Sequence, residues 1–366
     1  MLTRRQILLS CGALGGSLMR TRRAAAAASP TYHEAVAQTW RHTPGDVTDG
    51  VALRRELVRY ATLAPSSHNT QCWKFRLDEA AISIAPDFTR RCPAVDPDDH
   101  HLYVSLGCAA ENLVQAAHGH GLKGTVGYDT GADMVRVALE RTKPLASPLF
   151  AAIPRRQCAR VEYDGTPLTS PELNLLAEAG TGAGVRVLLF TDKAPMERVL
   201  EYVVQGNTAQ MNNAAFMHEL KAWIRFSDGE AVRTGDGLSA RSSGNPSLPR
   251  WLGTALFDLF FTAQRENDKY AGHVRSSAGI AVFVSDASDR AHWIETGRCY
   301  ERFALQAAAL GIRNAHLNQP VEVSAVRQQF ASFLGLDGQR PDLVVRFGRG
   351  PETPRSLRRA LAAVLV

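Results

Sequence analysis

Sequence patterns that mark several large enzyme classes are missing from this chain of 366 residues. No G-x-G-x-x-G follows a strand-like segment, there is no phosphate-binding P-loop, and neither G-x-S-x-G nor H-E-x-x-H occurs. The chain therefore carries no dinucleotide fingerprint of its own and no local marker of a serine hydrolase or a zinc peptidase. Its six cysteines include no C-x-x-C pair, and five remain when the N-terminal segment with Cys11 is set aside. An odd number argues against a complete disulfide framework and predicts mostly buried thiols, with at most one or two bridges.

Acidic residues are absent from positions 1–28, and most of the net positive charge is concentrated there. The formal net charge of the whole chain is +6, and it falls to +1 without the five arginines of this segment, Arg4, Arg5, Arg20, Arg22 and Arg23. A nearly neutral remainder gives no electrostatic basis for binding nucleic acid. We therefore expect no nucleic-acid partner.

Long apolar runs are also missing, because Ile7–Met19 is shorter than the roughly 20 residues of a membrane-spanning helix and is interrupted by Gly and Ser. It follows Arg4-Arg5 and precedes the small-residue run Ala24–Ala28. This arrangement resembles a twin-arginine signal peptide over residues 1–28, with a basic amphipathic anchor as the alternative. The resemblance implies export to the periplasm, or a membrane tether if the signal stays uncleaved, and no stable membrane span in the mature form.

A polar cluster, Ser66–Gln71, lies between two segments of different periodicity. The apolar segment before it has a helical pattern that Pro65 is expected to end, and the alternation of Trp73, Phe75 and Leu77 predicts a strand. At such a junction, backbone N–H groups and short side chains are available to hydrogen-bond a ligand. On local chemistry alone, an ordinary Ser- and Asn-rich turn is the alternative interpretation.

The chain repeats part of itself at an offset of 190 residues. Four positions of one copy coincide with four of the other: Gly107, Glu111, Ala117 and Gly121 with Gly297, Glu301, Ala307 and Gly311. Each copy predicts an Ala-rich helix closed by a glycine, and chance similarity of two such helices is the alternative. Upstream, Leu57–Leu77 matches Asn174–Phe190 at an offset of about 113. Because the offset increases from about 113 to 190 along the chain, we expect an insertion of roughly 75 residues in the second copy.

We therefore predict a first half over residues 29–150 and a second half over 151–366. Residues 207–277 are assigned to the insertion, since they combine a Gly-, Ser- and Pro-rich run with the apolar patch Trp251–Phe261. Such a patch must pack on something. We expect a lid over the ligand site, and packing on a second subunit is the alternative.

The junction resembles a turn of the nitroreductase-like flavoproteins, A-P-S-S-x-N-x-Q-P-W, with Cys72 in place of the second proline. The resemblance to the Acg-like, single-chain pseudo-dimeric branch of that superfamily extends over residues 50–366. It implies an α+β, FMN-dependent nitroreductase fold with two pseudo-symmetric halves, each a mixed sheet flanked by helices. In the family this turn contacts FMN, so the resemblance assigns five residues to the cofactor: Pro65, Ser66, Ser67, Asn69 and Gln71.

The same resemblance assigns the FMN phosphate to the second half. The segment from Arg156 to Arg160 is similar to the family motif R-x-S-x-R, with Cys158 in the place of Ser. Two guanidinium groups near a phosphate form charge-assisted hydrogen bonds. The segment from Pro354 to Arg358 is similar to the family's C-terminal P-R element, which reaches back to the phosphate, and we prefer Arg355 to Arg358 for this role. The alternatives are a solvated pair at Arg155-Arg156 and an exposed basic tail.

Leu317, Asn318 and Gln319 occupy the positions whose backbone lies along the flavin ring in the family. We expect no catalytic side chain, because the flavin carries the chemistry. We also expect no metal site, and we interpret the polar run Asp96–His101 as a loop.

Two functions are consistent with the resemblance. In one, the protein is an oxidoreductase that takes hydride from a small-molecule donor through FMN and reduces nitro- or quinone-type acceptors in a ping-pong cycle. In the alternative it is a non-catalytic protein that stores or sequesters FMN under its lid, and a scaffold without flavin is a third possibility. The single chain is expected to be a monomer that mimics a dimer, with a homodimer as the alternative.

Overall fold

A computed structural model describes residues 30–43 and 50–366. The predicted signal segment therefore lies outside the described residues. The helices are α1 (Tyr32–Thr39), α2 (Gly50–Thr62), α3 (His100–Gly119), α4 (Pro148–Ala152), α5 (Ser170–Ala179), α6 (Lys193–Met211), α7 (Ala214–Trp223), α8 (Asp228–Thr234), α9 (Arg250–Phe260), α10 (Ala263–Arg275), α11 (Arg290–Ala309), α12 (Gln319–Glu322) and α13 (Ser324–Phe333). The strands are β1 (Trp73–Leu77), β2 (Ala81–Pro86), β3 (Leu122–Asp129), β4 (Met134–Arg141), β5 (Val185–Phe190), β6 (Ile224–Arg225), β7 (Leu238–Ser239), β8 (Gly279–Ser285), β9 (Arg313–His316) and β10 (Arg340–Gly348). Within the described ranges, no helix combines the length and apolar character needed to cross a membrane.

Two four-stranded sheets share one topology. Their strand orders are β1-β2-β4-β3 and β5-β8-β10-β9, so the first, second, fourth and third strands are neighbours in both. Paired strands run antiparallel within each sheet. Parallel pairing enters through single bridges, Phe75 with Leu365 and Cys158 with Asn314. This arrangement confirms the α+β fold with two pseudo-symmetric halves. In both four-stranded sheets, parallel pairing is confined to single bridges at the edge strands β1 and β9.

The two sheets differ in how much of their surface is covered. The third strand of the first sheet, β3, alternates between exposed and half-buried residues, as expected for a sheet with one solvated face. In the second sheet, the inner strand β8 is buried along its whole length. Side chains of α11 cover one face of this second sheet, and side chains of α6, α10 and α13 cover the other.

A long segment interrupts the second half. In the first half, β1 and β2 form a hairpin across residues 78–80, whereas their counterparts β5 and β8 are separated by residues 191–278, which we call the insertion. The insertion includes the predicted range 207–277 and begins with α6, which packs on the second sheet. It contains α6 to α10 and one two-stranded pair, β6 with β7.

Five cysteines fall within the described residues, and all of them are free thiols. Four are buried: Cys72, Cys92, Cys108 and Cys299. Cys158 is half-buried, at the parallel bridge beside β9. These five cysteines are therefore thiols, mostly buried, and none of them forms a disulfide bridge with another described residue.

Candidate functional site

A cavity of about 550 Å³ lies where the first half, the second half and the insertion meet. Its volume is within the range of about 300–1,000 Å³ that is typical of small-molecule sites. The first half contributes the turn at residues 65–68, and the second half contributes Arg160 and residues 315–319. The insertion contributes an aromatic wall that includes Phe216, Phe226 and Phe257.

A smaller recess of about 70 Å³ adjoins the cavity. Five residues line both spaces: Pro65, Ser66, Arg160, Leu238 and His316. Four arginines line the recess, namely Arg156, Arg160, Arg355 and Arg358, and we call it the arginine recess. The Trp40 ring lies against three of these guanidinium groups, with its centroid 4.8 Å from Arg358 Cζ and 5.4 Å from Arg355 Cζ.

Within the part of the chain that the structure describes, Arg156 is the only arginine of the recess with a buried carboxylate partner. Arg156 Nε lies 3.1 Å from Glu301 Oε1, and its guanidinium also donates to the carbonyl of Leu63. Arg355 donates to backbone carbonyls of residues 154–156, and Glu352 lies at 3.9 Å from it. The side chain of Arg160 makes no hydrogen bond or ion pair with any other described residue.

Arg358 donates to no carboxylate among the described residues. Its guanidinium donates to the carbonyls of residues 62–64 and to Asn69 Oδ1. Burial, together with the nearby positive charge of Arg156, lowers the pKa of Arg358 to about 9. A buried cation without an anion costs free energy, so this excess of positive charge favours an anionic ligand in the arginine recess.

Three neutral histidines line the cavity around Arg160. Burial is the main cause that lowers the pKa of His68 to about 4, and that of His273 and His316 to about 3. The positive charge of Arg160 lowers each of these pKa values further. At neutral pH these rings therefore offer one donor and one acceptor nitrogen each, without adding charge.

Three buried polar atoms of cavity-lining residues have no hydrogen-bond partner among the described residues. They are His101 Nδ1, which lies 3.8 Å from Glu322 Oε1, His316 Nδ1 and Gln319 Oε1. Buried polar atoms are normally hydrogen-bonded, so each of these marks a place where a polar ligand would complete the pairing. The backbone of Leu317 and the side chain of Asn318 are instead bonded to Val344 in β10, which holds this wall in place.

The turn after α2 has an unusual backbone. His68, Asn69 and Gln71 all have positive φ values, between 48° and 55°. Such values are uncommon for residues with a Cβ atom and are tolerated when surrounding contacts hold them. The contacts here are the hydrogen bonds of Asn69 and Gln71.

Asn69 and Gln71 are occupied by the protein itself. The amide of Asn69 donates to the carbonyls of Gly237 and Leu357, and the amide of Gln71 donates to the carbonyl of Gly235 and accepts from the N–H of Arg359. Both side chains therefore fasten the insertion and the C-terminal segment to the first half.

The structure brings most of the predicted cofactor residues together. Pro65, Ser66 and Arg160 line both spaces, Ser67 and residues 317–319 line the cavity alone, and Asn69, Arg156 and Arg355 line the recess alone. Gln71 lines neither space. The pairing with Glu301 shows that Arg156 is not the free cation that the motif implied.

Sequence reasoning did not identify several residues of the site. His68 stands at the variable position of the turn motif, where its predicted neighbours gave a local signal. Arg358 was considered in the C-terminal element, but Arg355 was preferred to it. Trp40 carried no local signal, whereas the apolar patch Trp251–Phe261, for which a lid was expected, includes Phe257 of the aromatic wall.

Comparisons with known proteins give the following relatives. No protein-family model matches the chain. In sequence it is similar to the "Putative NAD(P)H nitroreductase Rv3131" of Mycobacterium tuberculosis, with 25% identity over 325 residues that cover 85% of this chain and 90% of the relative. It is also similar to the "Putative NAD(P)H nitroreductase acg" of the same organism, with 22% identity over 309 residues that cover 81% and 89%. Similarity over this much of both chains supports the predicted resemblance to the nitroreductase-like superfamily.

Solved structures with detectable similarity include two nitroreductases. One is the FMN-dependent nitroreductase NfnB from Mycobacterium smegmatis in complex with NADPH, with a TM-score of 0.39, 12% identity, and coverage of 59% of this chain and 97% of the other. Another is a nitroreductase with bound FMN from Desulfitobacterium hafniense, with a TM-score of 0.37, 14% identity, and coverage of 59% and 95%.

Proposed function

We propose that this chain binds FMN in the cavity and the arginine recess and acts as a nitroreductase-like oxidoreductase. The observation that carries the proposal is that the arginine recess adjoins the larger cavity and shares five lining residues with it. A flavin mononucleotide needs this combination, since it joins a phosphate to a planar ring system. Bound FMN would accept hydride from a donor such as NAD(P)H and reduce a nitro- or quinone-type acceptor.

The residues of the recess fit a phosphate group. Arg160 has no other partner among the described residues. Arg355 and Arg358 donate to uncharged groups, and the Glu352 carboxylate lies 3.9 Å from Arg355. A phosphate dianion at this position would balance the buried positive charge through charge-assisted hydrogen bonds. Arg156 would act by positioning, because its ion pair with Glu301 holds the segment that carries Arg160.

The cavity fits the ring system. The wall at residues 315–319 combines an apolar side chain, Leu317, with two unpaired polar atoms, His316 Nδ1 and Gln319 Oε1. Such atoms can pair with the heteroatoms of a flavin edge. His68, His273 and His316 are neutral, so they would add hydrogen-bonding atoms but no charge. The guanidinium of Arg160, at the boundary of the two spaces, would favour negative charge on the bound group.

Storage of FMN without turnover remains the second candidate function, because the insertion forms a large part of the cavity wall. Phe257 and Phe261 stack with ring centroids 4.4 Å apart, and both line the cavity. A wall of this kind excludes water and would also restrict a second, nicotinamide-containing molecule. Export by the predicted signal would favour a donor other than cytoplasmic NAD(P)H.

An anaerobic visible spectrum of the purified protein tests the proposal. We expect a bound-flavin absorption band that bleaches when NADH is added. Bleaching by dithionite but not by NADH would favour storage or a different donor. A protein that has no flavin band and takes up no added FMN would overturn the proposal.

A further inference from the structure

A second group of chemically active side chains lies where the insertion meets the first half. It consists of His68 in the turn after α2, Cys92 in the loop between β2 and α3, and Glu219 on α7 of the insertion. One ligand atom from each lies within 4.8 Å of the other two. Imidazole nitrogen, thiolate sulfur and carboxylate oxygen are the three ligand types that proteins use for zinc.

The spacing of the first two ligand atoms suits a shared metal ion. His68 Nδ1 lies 3.5 Å from Cys92 Sγ. Two ligands on one tetrahedral zinc, with a Zn–S bond of about 2.3 Å and a Zn–N bond of about 2.0–2.1 Å, lie about 3.6 Å apart. The two atoms are therefore already at the separation that zinc requires, although a thiol–imidazole hydrogen bond also explains their distance.

Glu219 is held in position by backbone groups. One carboxylate oxygen accepts the N–H of Ala94 at 2.9 Å, and the other accepts the N–H of Val95 at 3.2 Å. Each carboxylate oxygen has a further lone pair, so these bonds orient the group without exhausting it. The apolar contacts of Cys92 with Phe216 and Leu220 hold α7 close to the loop.

The electrostatic surroundings favour a cation. Asp96 and Glu322 act electrostatically on Cys92 together with Glu219. Among the described residues, none of these three carboxylates lies within ion-pair distance of a lysine or arginine. Backbone N–H groups and the His101 ring, 3.8 Å from Glu322, offset this negative charge only in part, and a divalent cation would offset more of it.

A neighbouring group of possible ligands, Asp96, His100 and His101, is a weaker candidate. Both carboxylate oxygens of Asp96 accept backbone N–H groups at the start of α3, and the Nε2 atoms of both histidines are bonded to Asp342. These hydrogen bonds cap the start of α3 and join it to β10, so the same atoms already have partners.

We propose that His68, Cys92 and Glu219 bind one zinc ion, which ties the insertion to the first half beside the cavity. The fourth coordination position would go to water or to a ligand in the cavity, which His68 lines. As the Zn–S bond forms, the Cys92 thiol loses its proton to solvent. No oxidation or reduction is involved, so the site can form independently of the flavin proposal.

Metal titration of the purified, untagged and reduced protein tests the site. After removal of bound metal with a chelator, Co²⁺ is added as a spectroscopic probe and Zn²⁺ is then used to displace it. We expect one equivalent of Co²⁺ with a thiolate-to-cobalt charge-transfer band, and full displacement by one equivalent of Zn²⁺. Glu219→Gln keeps the size of the side chain and one oxygen acceptor, and it should weaken binding by at least about 100-fold.

Two cysteine variants make the test specific. Cys92→Ala should abolish the charge-transfer band, whereas Cys72→Ala should leave it unchanged, since the Cys72 sulfur lies against the carbonyl of Leu102 and is not one of the three clustered ligand atoms. Zinc should raise the melting temperature of the wild type and of Cys72→Ala, but not that of Cys92→Ala. The proposal is overturned if the wild type shows no cobalt–thiolate band, or if Glu219→Gln binds as tightly as the wild type.

Discussion

Gly107 and Gly297 meet where the two long central helices, α3 and α11, cross. A Cβ atom on Gly107 would lie 1.9 Å from the carbonyl oxygen of Ile294, and one on Gly297 would lie 1.9 Å from that of Val104. Residues 107 and 104 correspond to 297 and 294 at the repeat offset of 190. The contact is therefore reciprocal, as it would be across a twofold axis between identical subunits. The two halves of one chain meet as the protomers of a symmetric dimer do.

Replacing Gly107 with alanine should destabilise the protein. The obstructing atom belongs to the backbone of α11, so the helices must separate to accommodate a methyl group, at a cost of about 1–3 kcal/mol or more. Urea unfolding should show a lower midpoint for Gly107→Ala. Gly127→Ala in β3 is the matched control, because nothing lies within 4 Å of its added Cβ. Equal midpoints for the two variants would show that the crossing is looser than described.

Arg160→Ala should weaken FMN binding without unfolding the protein. The side chain has no hydrogen-bonding partner among the described residues, and its loss removes a charge-assisted contact worth about 1.5–3 kcal/mol, or roughly tenfold to a hundredfold in affinity. Quenching of flavin fluorescence during titration of the flavin-free protein measures the change. Arg198→Ala, which removes an exposed arginine paired with Glu201, is the control and should bind FMN normally. Unchanged affinity in Arg160→Ala would remove this residue from the phosphate site.

Arg156→Ala should act mainly on stability. It leaves Glu301 buried without its cation, and breaking a buried pair typically costs about 3–5 kcal/mol. Burial raises the pKa of Glu301 to about 7 even beside Arg156. Loss of the arginine raises this pKa further, so the variant's folded state holds the proton at pH values where the wild type has released it. The stability difference should therefore grow as the pH rises above about 7.

Urea unfolding at pH 6 and pH 8.5 checks the sign of this effect. Arg156→Lys retains a positive charge near Glu301 and should show a smaller pH dependence than Arg156→Ala. A stability loss that shrinks as the pH rises would contradict the assigned role of the Arg156 ion pair.

Asn69→Ala should loosen the insertion. The variant loses hydrogen bonds to the carbonyls of Gly237 and Leu357 and leaves Arg358 without one of its acceptors. We expect a loss of about 1–3 kcal/mol in unfolding free energy and faster proteolytic cleavage near residue 237. Asn174→Ala on the exposed side of α5 is the control. If cleavage is equally slow in both variants, Asn69 does not fasten the insertion.

Local patterns predicted much of the fold. The alternation of Trp73, Phe75 and Leu77 predicted β1, and the repeat at residues 107 and 297 indicated the two central helices that the structure places between the halves. These predictions depend on the spacing of apolar residues and on glycines that end helices. Both are properties of neighbouring residues along the chain. The repeat also indicated the shared topology, because similar segments in the same order form the same sheet.

The partners of the site residues could not be predicted in this way. Arg156 pairs with Glu301, and Asn69 bonds to Gly237, across 145 and 168 positions of the chain. Whether an arginine faces a ligand or a buried carboxylate depends on which distant segment packs beside it. The amino-acid pattern thus determined the duplicated fold, because the periodicity of helices and strands is a local property. The resemblance to a family motif marked the turn at residues 65–71 as a candidate cofactor contact. Only the tertiary structure decided which side chains are free to bind a ligand, because burial and charge pairing arise from contacts between segments far apart in the chain.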